Sequence, residues 1–220
     1  MISITDTASY VARIISNGPG TTFNKGVGFF LRLASHTVFV SNRHVIHPFD
    51  TLIIEMPLIG KITLSSEDYK CIPHKEIDVD LAVVVVDQLE KDNPDFWSRI
   101  EHSILSESSI VSRNDVETLP VLQEIAAITM LHDLEFDGIF VPVVRKGIIT
   151  SPISITKDLI LSDLLCISGN SGSPVFLLPY DGTSPRLLAV VRQKIEDKGS
   201  NISLSLCQCA YGLIDFYRWL

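Results

Sequence analysis

The chain has 220 residues, of which 46% are apolar and 20% charged, a balance that excludes a disordered chain and allows one large domain or two small ones. The net charge is −8 and the Lys and Arg residues are scattered, which disfavours a nucleic-acid-binding surface. The first ten residues lack the basic start and apolar core of a signal peptide, and no apolar run reaches the roughly 20 residues that span a bilayer. We therefore expect a globular protein that binds neither nucleic acid nor a membrane.

The first third of the chain alternates apolar and polar residues between turn signals, which predicts strands. Before the first of these strands we expect a short helix or arm at Thr7 to Ile15, followed by a turn at Gly18-Pro19-Gly20. The segment Gly26-Val27-Gly28-Phe29 predicts a strand whose glycines permit a close backbone approach or a bulge. The next strand, Thr37 to Ser41, leads directly to His44, and a side chain at a strand end can face a cleft.

Asp80 precedes the longest apolar strand, Leu81 to Val86. We expect its carboxylate to be partly buried, and a buried carboxylate needs a partner such as an imidazole N–H. The alternatives are structural: Asp80 can cap a strand or a turn, and His44 can be an ordinary core or surface histidine. The remaining histidines have no comparable setting and are interpreted as structural: His36, His47, His74, His102 and His132.

Residues 87–118 are polar and break the β pattern, which indicates a connection between two halves. Within it, apolar residues from Phe96 to Ile104 recur at helical spacing and predict a short amphipathic helix on the core. A second β-rich half begins near Leu119, with a loop expected at His132 to Gly138. The chain ends in a predicted helical turn with Asp215 as its N-cap.

The four cysteines do not form a recognisable framework. Cys207 and Cys209 would share one face of a strand and are poorly placed to bridge each other. No histidine or cysteine pair around them has zinc-ligand spacing, so we expect no metal site. Four reduced thiols indicate a cytoplasmic protein. Besides Cys207 and Cys209, the cysteines of the chain are Cys71 and Cys166.

The segment Gly169-Asn170-Ser171-Gly172-Ser173-Pro174 places a serine between glycines, before the apolar run Val175 to Leu178. This pattern is typical of a nucleophile on a tight turn. The N–H groups of Gly169 and Ser171 could point into one small volume and form an oxyanion hole. Alone, a GxSG tetrapeptide such as Gly169 to Gly172 is most often an ordinary turn. The inference therefore depends on the residues that accompany it.

The segments SNRHV, DVDLA and GNSGSP hold His44, Asp80 and Ser171 in that order. Together they resemble the trypsin-like (chymotrypsin-fold) serine proteases, in particular the bacterial intracellular members without disulfides. Gly26 to Phe29 resembles the GxGF strand of that family, and Leu187 to Val191 resembles the strand that pairs with the substrate backbone. The resemblance covers nearly the whole chain.

The resemblance implies an all-β fold of two six-stranded antiparallel Greek-key barrels with a short C-terminal helix. The expected organisation is an N-terminal barrel over residues 1–90 that holds the catalytic His and Asp, a linker over 91–118, and a C-terminal barrel over 119–220 that holds the nucleophilic Ser.

The resemblance also implies the roles of individual residues. Ser171 would be the nucleophile, His44 the general base and then acid, and Asp80 the residue that orients the imidazole. The oxyanion hole would be formed by the N–H groups of Gly169 and Ser171. Such a serine endopeptidase works through an acyl-enzyme on a protein or peptide, expected here to be a dedicated substrate, and requires no metal or organic cofactor.

The primary specificity pocket would have two walls. Leu165 stands where trypsin-type enzymes place a carboxylate, so we expect cleavage after a small or medium apolar residue, not after Lys or Arg. Asp163 would alter this preference if the loop were shifted. The two walls are formed by Leu165, Cys166 and Ile167, and by Arg192, Gln193 and Lys194.

Two departures from the family pattern leave the regulation open. Ser173 stands where most members have a second glycine, and Asn170 stands where the digestive enzymes have an aspartate that pairs with a freed N-terminus. Activation by that route is therefore not expected, and the site would be either constitutively shaped or switched by a regulatory partner.

A non-catalytic module of the same fold, which binds an extended peptide by strand addition, is the alternative. An esterase on another fold is disfavoured because its nucleophile would normally precede the histidine in sequence.

Overall fold

The computed structural model describes residues 10–18, 24–136, 139–151, 158–179, 184–196 and 203–220. Within these residues the chain is mostly β, arranged in two sheets. The strands are β1 Ala12–Asn17, β2 Asn24–Leu33, β3 His36–Ser41, β4 Thr51–Met56, β5 Gly60–Ser65, β6 Cys71–Pro73, β7 Ala82–Val85, β8 Leu105–Ser106, β9 Glu124–Phe136, β10 Ile139–Ile148, β11 Leu159–Ser162, β12 Pro174–Leu177, β13 Arg186–Glu196 and β14 Ser203–Cys209.

The helices are short and most of them lie in the connection between the sheets. The predicted amphipathic helix spans Pro94–Ile100, and its apolar residues Phe96, Trp97 and Ile100 are buried. In the described part of the chain no helix is long and apolar enough to cross a membrane. The other helical segments are Arg43–Ile46, Leu89–Asp92 and Arg113–Glu117, with 3₁₀ turns at Glu101–Ser103, Glu107–Ser109 and Ala210–Arg218.

The first sheet has the order β5-β4-β1-β2-β3-β7-β6, with β8 paired in parallel to β2. Its other pairs are antiparallel. The second sheet is antiparallel throughout, has six strands among the described residues, and has the order β10-β9-β12-β13-β14-β11. The two sheets thus follow one another along the chain, on either side of the helical connection.

Strand β2 lies between two hydrophobic clusters and has an unusually apolar sequence for that reason. Val27, Phe29 and Leu31 belong to the cluster that continues into the second sheet. Phe30 points to the opposite face and packs with Phe39 in the cluster of the first sheet, with ring centroids 4.9 Å apart. Because side chains alternate along a strand, β2 contributes to both clusters at once. It therefore connects the first sheet to the half of the molecule that carries the serine turn.

The predicted N-terminal helix or arm, Thr7 to Ile15, is wrong where the structure describes it. Residues Ala12–Asn17 form strand β1, which pairs with β2 on one side and β4 on the other. Ala12 and Ile14 are fully buried and alternate with half-buried residues. Pairing on both edges therefore outweighs the local helical pattern. Residues 7–9, and residues 19 and 20 of the predicted turn, lie outside the described residues.

Two other boundaries also differ from the prediction. The loop expected at His132 to Gly138 is wrong up to Phe136, because β9 continues to that residue and pairs with β10. Residues 137 and 138 are outside the described part. At the C-terminus the helical segment begins at Ala210 and not at Asp215. The reason is that β14 ends at Cys209, its last residue paired with β13.

Candidate active site

His44 lies in one turn of helix directly after β3. Asn42 precedes the helix Arg43–Ile46, and its buried side chain donates an Nδ2–H to the backbone carbonyl of Asp80 at 2.8 Å. The Arg43 N–H donates to the same carbonyl at 3.3 Å. The turn that carries His44 is therefore hydrogen-bonded to the segment that carries Asp80.

The Asp80 carboxylate contacts His44 through both of its oxygens. Oδ2 lies 2.6 Å from Nδ1 of the imidazole, and Oδ1 accepts the His44 backbone N–H at 3.1 Å. The Asp80 side chain is 12% exposed, whereas that of His44 is 51% exposed. An ionised carboxylate can only accept, so Nδ1 carries the proton and Nε2 is left as the basic nitrogen.

The serine turn is packed against strand β2. The Val27 N–H donates to the Ser171 carbonyl at 2.8 Å, and the Gly172 N–H donates to the Val191 carbonyl at 2.9 Å. Gly172 has a φ of 91°, and a Cβ at this position would lie 1.8 Å from the Val27 carbonyl oxygen. Only a glycine therefore fits at position 172. The turn joins the two halves of the molecule through backbone hydrogen bonds to each.

Asn170 is fully buried beneath this turn. Its Oδ1 accepts the Ile167 N–H at 2.9 Å, and its Nδ2 donates to the Met130 carbonyl at 2.9 Å. A neutral amide can satisfy a donor and an acceptor together, which a carboxylate cannot do. The loop before the serine is therefore held by backbone groups and needs no buried cation to balance position 170.

The two N–H groups predicted for the oxyanion hole belong to Gly169 and Ser171. Gly169 has a φ of 90°, the left-handed conformation that favours glycine. Within the described residues the Ser171 N–H has no hydrogen-bond partner. A backbone donor next to the nucleophile is suited to a developing oxyanion. The pairing of the two groups stays a prediction.

The Ser171 hydroxyl is hydrogen-bonded to a backbone carbonyl and not to the histidine. Its Oγ donates to the backbone carbonyl of Arg192 at 3.0 Å. Both Ser171 and His44 lie in the described residues, and the structure has no hydrogen bond between their side chains. Attack by this serine would therefore require the hydroxyl to exchange this carbonyl for Nε2 of His44 as its acceptor.

His44, Asp80 and Ser171 line one open cleft of about 550 Å³. Ile77 also lines it and is 74% exposed. Sequence reasoning missed Ile77 because an isoleucine carries no catalytic chemistry, and it missed Ser168 because this serine precedes the glycine turn that marked Ser171. Among the predicted pocket residues the cleft includes Ile167, Arg192, Gln193 and Lys194, and its lining is completed by Gly169.

Leu165 and Cys166 are not among the described residues that line this cleft. Leu165 is 51% exposed, whereas the Cys166 side chain is buried. Asp163 also points elsewhere, because its Oδ1 accepts the Ile148 N–H at 2.6 Å. The role of Leu165 and Cys166 in a specificity pocket stays a prediction.

The cysteines are buried or half-buried and are free thiols. Burial raises the pKa of the Cys166 thiol, the one nearest in sequence to the cleft residues. A protonated thiol is a poor nucleophile and a poor metal ligand. No group of three or more His, Cys, Asp or Glu side chains that could hold a metal ion occurs in the part of the chain that the structure describes.

No protein-family model and no curated protein sequence matches this chain. Similarity to known proteins is found by comparison of structures instead. The structures that resemble this chain are those of HtrA-type and other trypsin-like serine proteases.

A thermostable serine protease from an extremophilic microorganism has a TM-score of 0.67 at 12% identity, with 97% of both chains covered. The HtrA-type protease AlgW with a tripeptide has a TM-score of 0.63 at 15% identity, with 98% of this chain and 62% of that chain covered. A serine endoprotease from Yersinia pestis has a TM-score of 0.62 at 15% identity, with 99% and 66% covered. The chain thus spans 62% of the length of the AlgW chain and 66% of that of the Yersinia pestis chain. These similarities confirm the predicted chymotrypsin-like fold. The six antiparallel strands predicted for the first barrel differ from the structure, whose first sheet has eight strands among the described residues and one parallel pair.

Proposed function

We propose that this chain is a serine endopeptidase that hydrolyses a peptide bond through Ser171, His44 and Asp80. One observation carries the proposal: an imidazole held by a nearly buried carboxylate shares a cleft with a serine on a glycine turn. In this proposal His44 and Asp80 belong to an N-terminal unit of residues 1–90, and Ser171 to a C-terminal unit of residues 119–220, joined by 91–118.

The proposed reaction follows from the positions of the three side chains. His44 Nε2 removes the hydroxyl proton as Ser171 Oγ attacks the carbonyl carbon of the substrate. The ionised Asp80 stabilises the resulting imidazolium, which then donates the proton to the leaving amine. The N–H groups of Gly169 and Ser171 would hold the oxyanion, and water would hydrolyse the acyl-enzyme by the same steps in reverse.

The proposed substrate is an extended segment of a dedicated protein, bound along the part of β13 that lines the cleft. Ile77 and Ile167 supply apolar surface there, which favours small or medium apolar side chains. The AlgW neighbours hold a tripeptide. By this proposal the protein is of the bacterial intracellular type and acts in the cytoplasm, where its four thiols stay reduced.

Labelling by a fluorophosphonate probe tests this proposal without knowledge of the substrate. We expect the purified protein to be labelled, and Ser171→Ala and His44→Ala to abolish the labelling. Ser168→Ala is a matched control because this exposed serine lines the same cleft. His36→Ala is a second control, since His36 Nδ1 lies 2.6 Å from Asp87 but outside the cleft. Labelling that survived Ser171→Ala would reject the proposal.

A second candidate is a protease-fold module that stays silent until a regulatory partner binds. It is favoured by the hydrogen bond from the Ser171 hydroxyl to Arg192, which leaves the serine unengaged with His44. In that case the purified chain would not be labelled, but labelling at Ser171 would occur in lysate of the source cells. Labelling of the purified chain at the rate seen in lysate would exclude this candidate.

A further inference from the structure

Arg192 occupies an irregular position in strand β13. Its neighbours Val191 and Gln193 pair with the consecutive residues Cys207 and Leu206 of β14, so Arg192 is the extra residue of a β-bulge. A bulge bends the strand locally and redirects the side chain of the extra residue. Bulges of this kind are common beside functional sites.

The redirected side chain crosses from the second sheet to the loop that carries Asp80. Its NH1 donates to the backbone carbonyl of Asp78 at 3.0 Å, and its Nε lies 3.8 Å from Oδ2 of Asp80. The second distance is too long for a hydrogen bond, so this contact is electrostatic. The hydrogen bond to Asp78 holds the guanidinium in place, and its charge faces the carboxylate.

The oxygen that faces Arg192 is the same Oδ2 that lies 2.6 Å from Nδ1 of His44. The carboxylate is nearly buried, and a buried anion is costly unless cations or donors balance it. Arg192 provides the one guanidinium within ion-pair distance of Asp80 among the described residues. Arg192 therefore contributes to holding the Asp80 carboxylate beside the imidazole.

We propose that Arg192 is a positioning residue of this site: its guanidinium holds the Asp78–Asp80 loop, and with it the carboxylate that orients His44, against the strand edge where a substrate would lie. This inference rests on the proposed function for its catalytic consequence. Its structural content, the orientation of His44 by way of Asp80, can be tested independently of activity.

The test compares Arg192→Met, which removes charge and donors, with Arg192→Lys, which keeps a charge and can donate to one carbonyl. Arg186→Met is the matched control. Arg186 lies on the same strand, pairs with Asp115 at 3.1 Å and donates to the Ile110 carbonyl at 3.0 Å, away from the cleft. The two arginines thus have the same kinds of contact in different places.

The first measurement is the proton NMR resonance of the His44 Nδ1–H, assigned by its loss in His44→Ala. We expect it in the wild-type protein and Arg186→Met, weakened or shifted in Arg192→Met, and largely restored in Arg192→Lys. An unchanged resonance in Arg192→Met would overturn the inference, as would its absence from the wild-type protein. If the methionine variant does not fold, Arg192→Gln replaces it, since glutamine removes the charge but retains a donor.

The second measurement is the rate constant of fluorophosphonate labelling. We expect Arg192→Met to slow it about tenfold to a hundredfold, because small displacements of a catalytic group have effects of this size. Arg192→Lys should recover most of the rate, which a purely structural role would not predict. If the wild-type protein is not labelled, the proposed function fails, and the NMR comparison still decides the role of Arg192.

Discussion

The hydroxyl of Ser171 donates its hydrogen bond to the carbonyl oxygen of Arg192, 3.0 Å away, and not to His44. The acceptor belongs to the strand edge on which we propose that the substrate lies. A backbone N–H of a docked peptide would compete for the same carbonyl and release the hydroxyl towards His44. If the proposed function holds, substrate binding and activation of the nucleophile would therefore be coupled through this one acceptor atom.

This competition predicts an effect of methylating a single amide in an inhibitor. A peptidyl phosphonate extended by three residues should label Ser171 about tenfold faster than its analogue N-methylated at the amide that would donate to Arg192, the equivalent of about 1.4 kcal/mol. Methylation of the next amide is the control, because successive amides of an extended chain point in opposite directions. Equal labelling rates for the two methylated compounds would contradict the coupling.

Removing the charge of Asp80 tests the role of the carboxylate. Asp80→Asn should slow probe labelling about a thousandfold or more, because an amide can donate to Nδ1 and leave the proton on the wrong nitrogen. Asp87→Asn is a matched control, since Asp87 also lies 2.6 Å from a histidine Nδ1 and accepts a backbone N–H, at 2.7 Å from Thr37. Similar losses in the two variants would indicate a general effect on folding instead.

Gly172→Ala should destabilise the protein more than Gly60→Ala. Both glycines have positive φ values, 91° and 129°, but a Cβ at Gly172 would overlap the Val27 carbonyl, whereas one at Gly60 has no atom within 4 Å. Backbone strain alone should lower the free energy of unfolding of Gly60→Ala by about 1 kcal/mol. The added overlap with Val27 should lower that of Gly172→Ala by about 3 kcal/mol or more. The free energies of unfolding in urea measure the difference. Equal losses would show that the serine turn can move away from β2.

The thiols should be unreactive in the folded protein at pH 8. Burial raises the pKa of Cys71 and of Cys209 to about 12 and also raises that of Cys166. At a pH below these values the thiols stay protonated, and only the thiolate is alkylated. Mass spectrometry after iodoacetamide treatment should show little modification in buffer and four modified cysteines in urea. Rapid alkylation of Cys166 in buffer, with loss of probe labelling, would instead indicate a reactive thiol at the site.

Much of the fold was predictable because the pattern is local. The alternation in β4 and β5 and the helical spacing around Phe96 indicate which face of each element is apolar, and burial follows that pattern. The exceptions are segments whose partners are distant. β1 forms a strand because β2 and β4 pair with both of its edges, which no pattern within Thr7 to Ile15 records.

In the candidate site, too, some features follow from the local sequence and others from the tertiary structure. The sequence by itself determined the residue types and their order, His44 after a strand, Asp80 before one and Ser171 between glycines, because these depend on neighbours along the chain. Only the tertiary structure decided that Arg192 reaches Asp80 from 112 positions away along the chain and that the Ser171 hydroxyl faces a carbonyl. The direction of a side chain depends on a bulge, a turn and packing between two sheets, and none of these is encoded in a short segment.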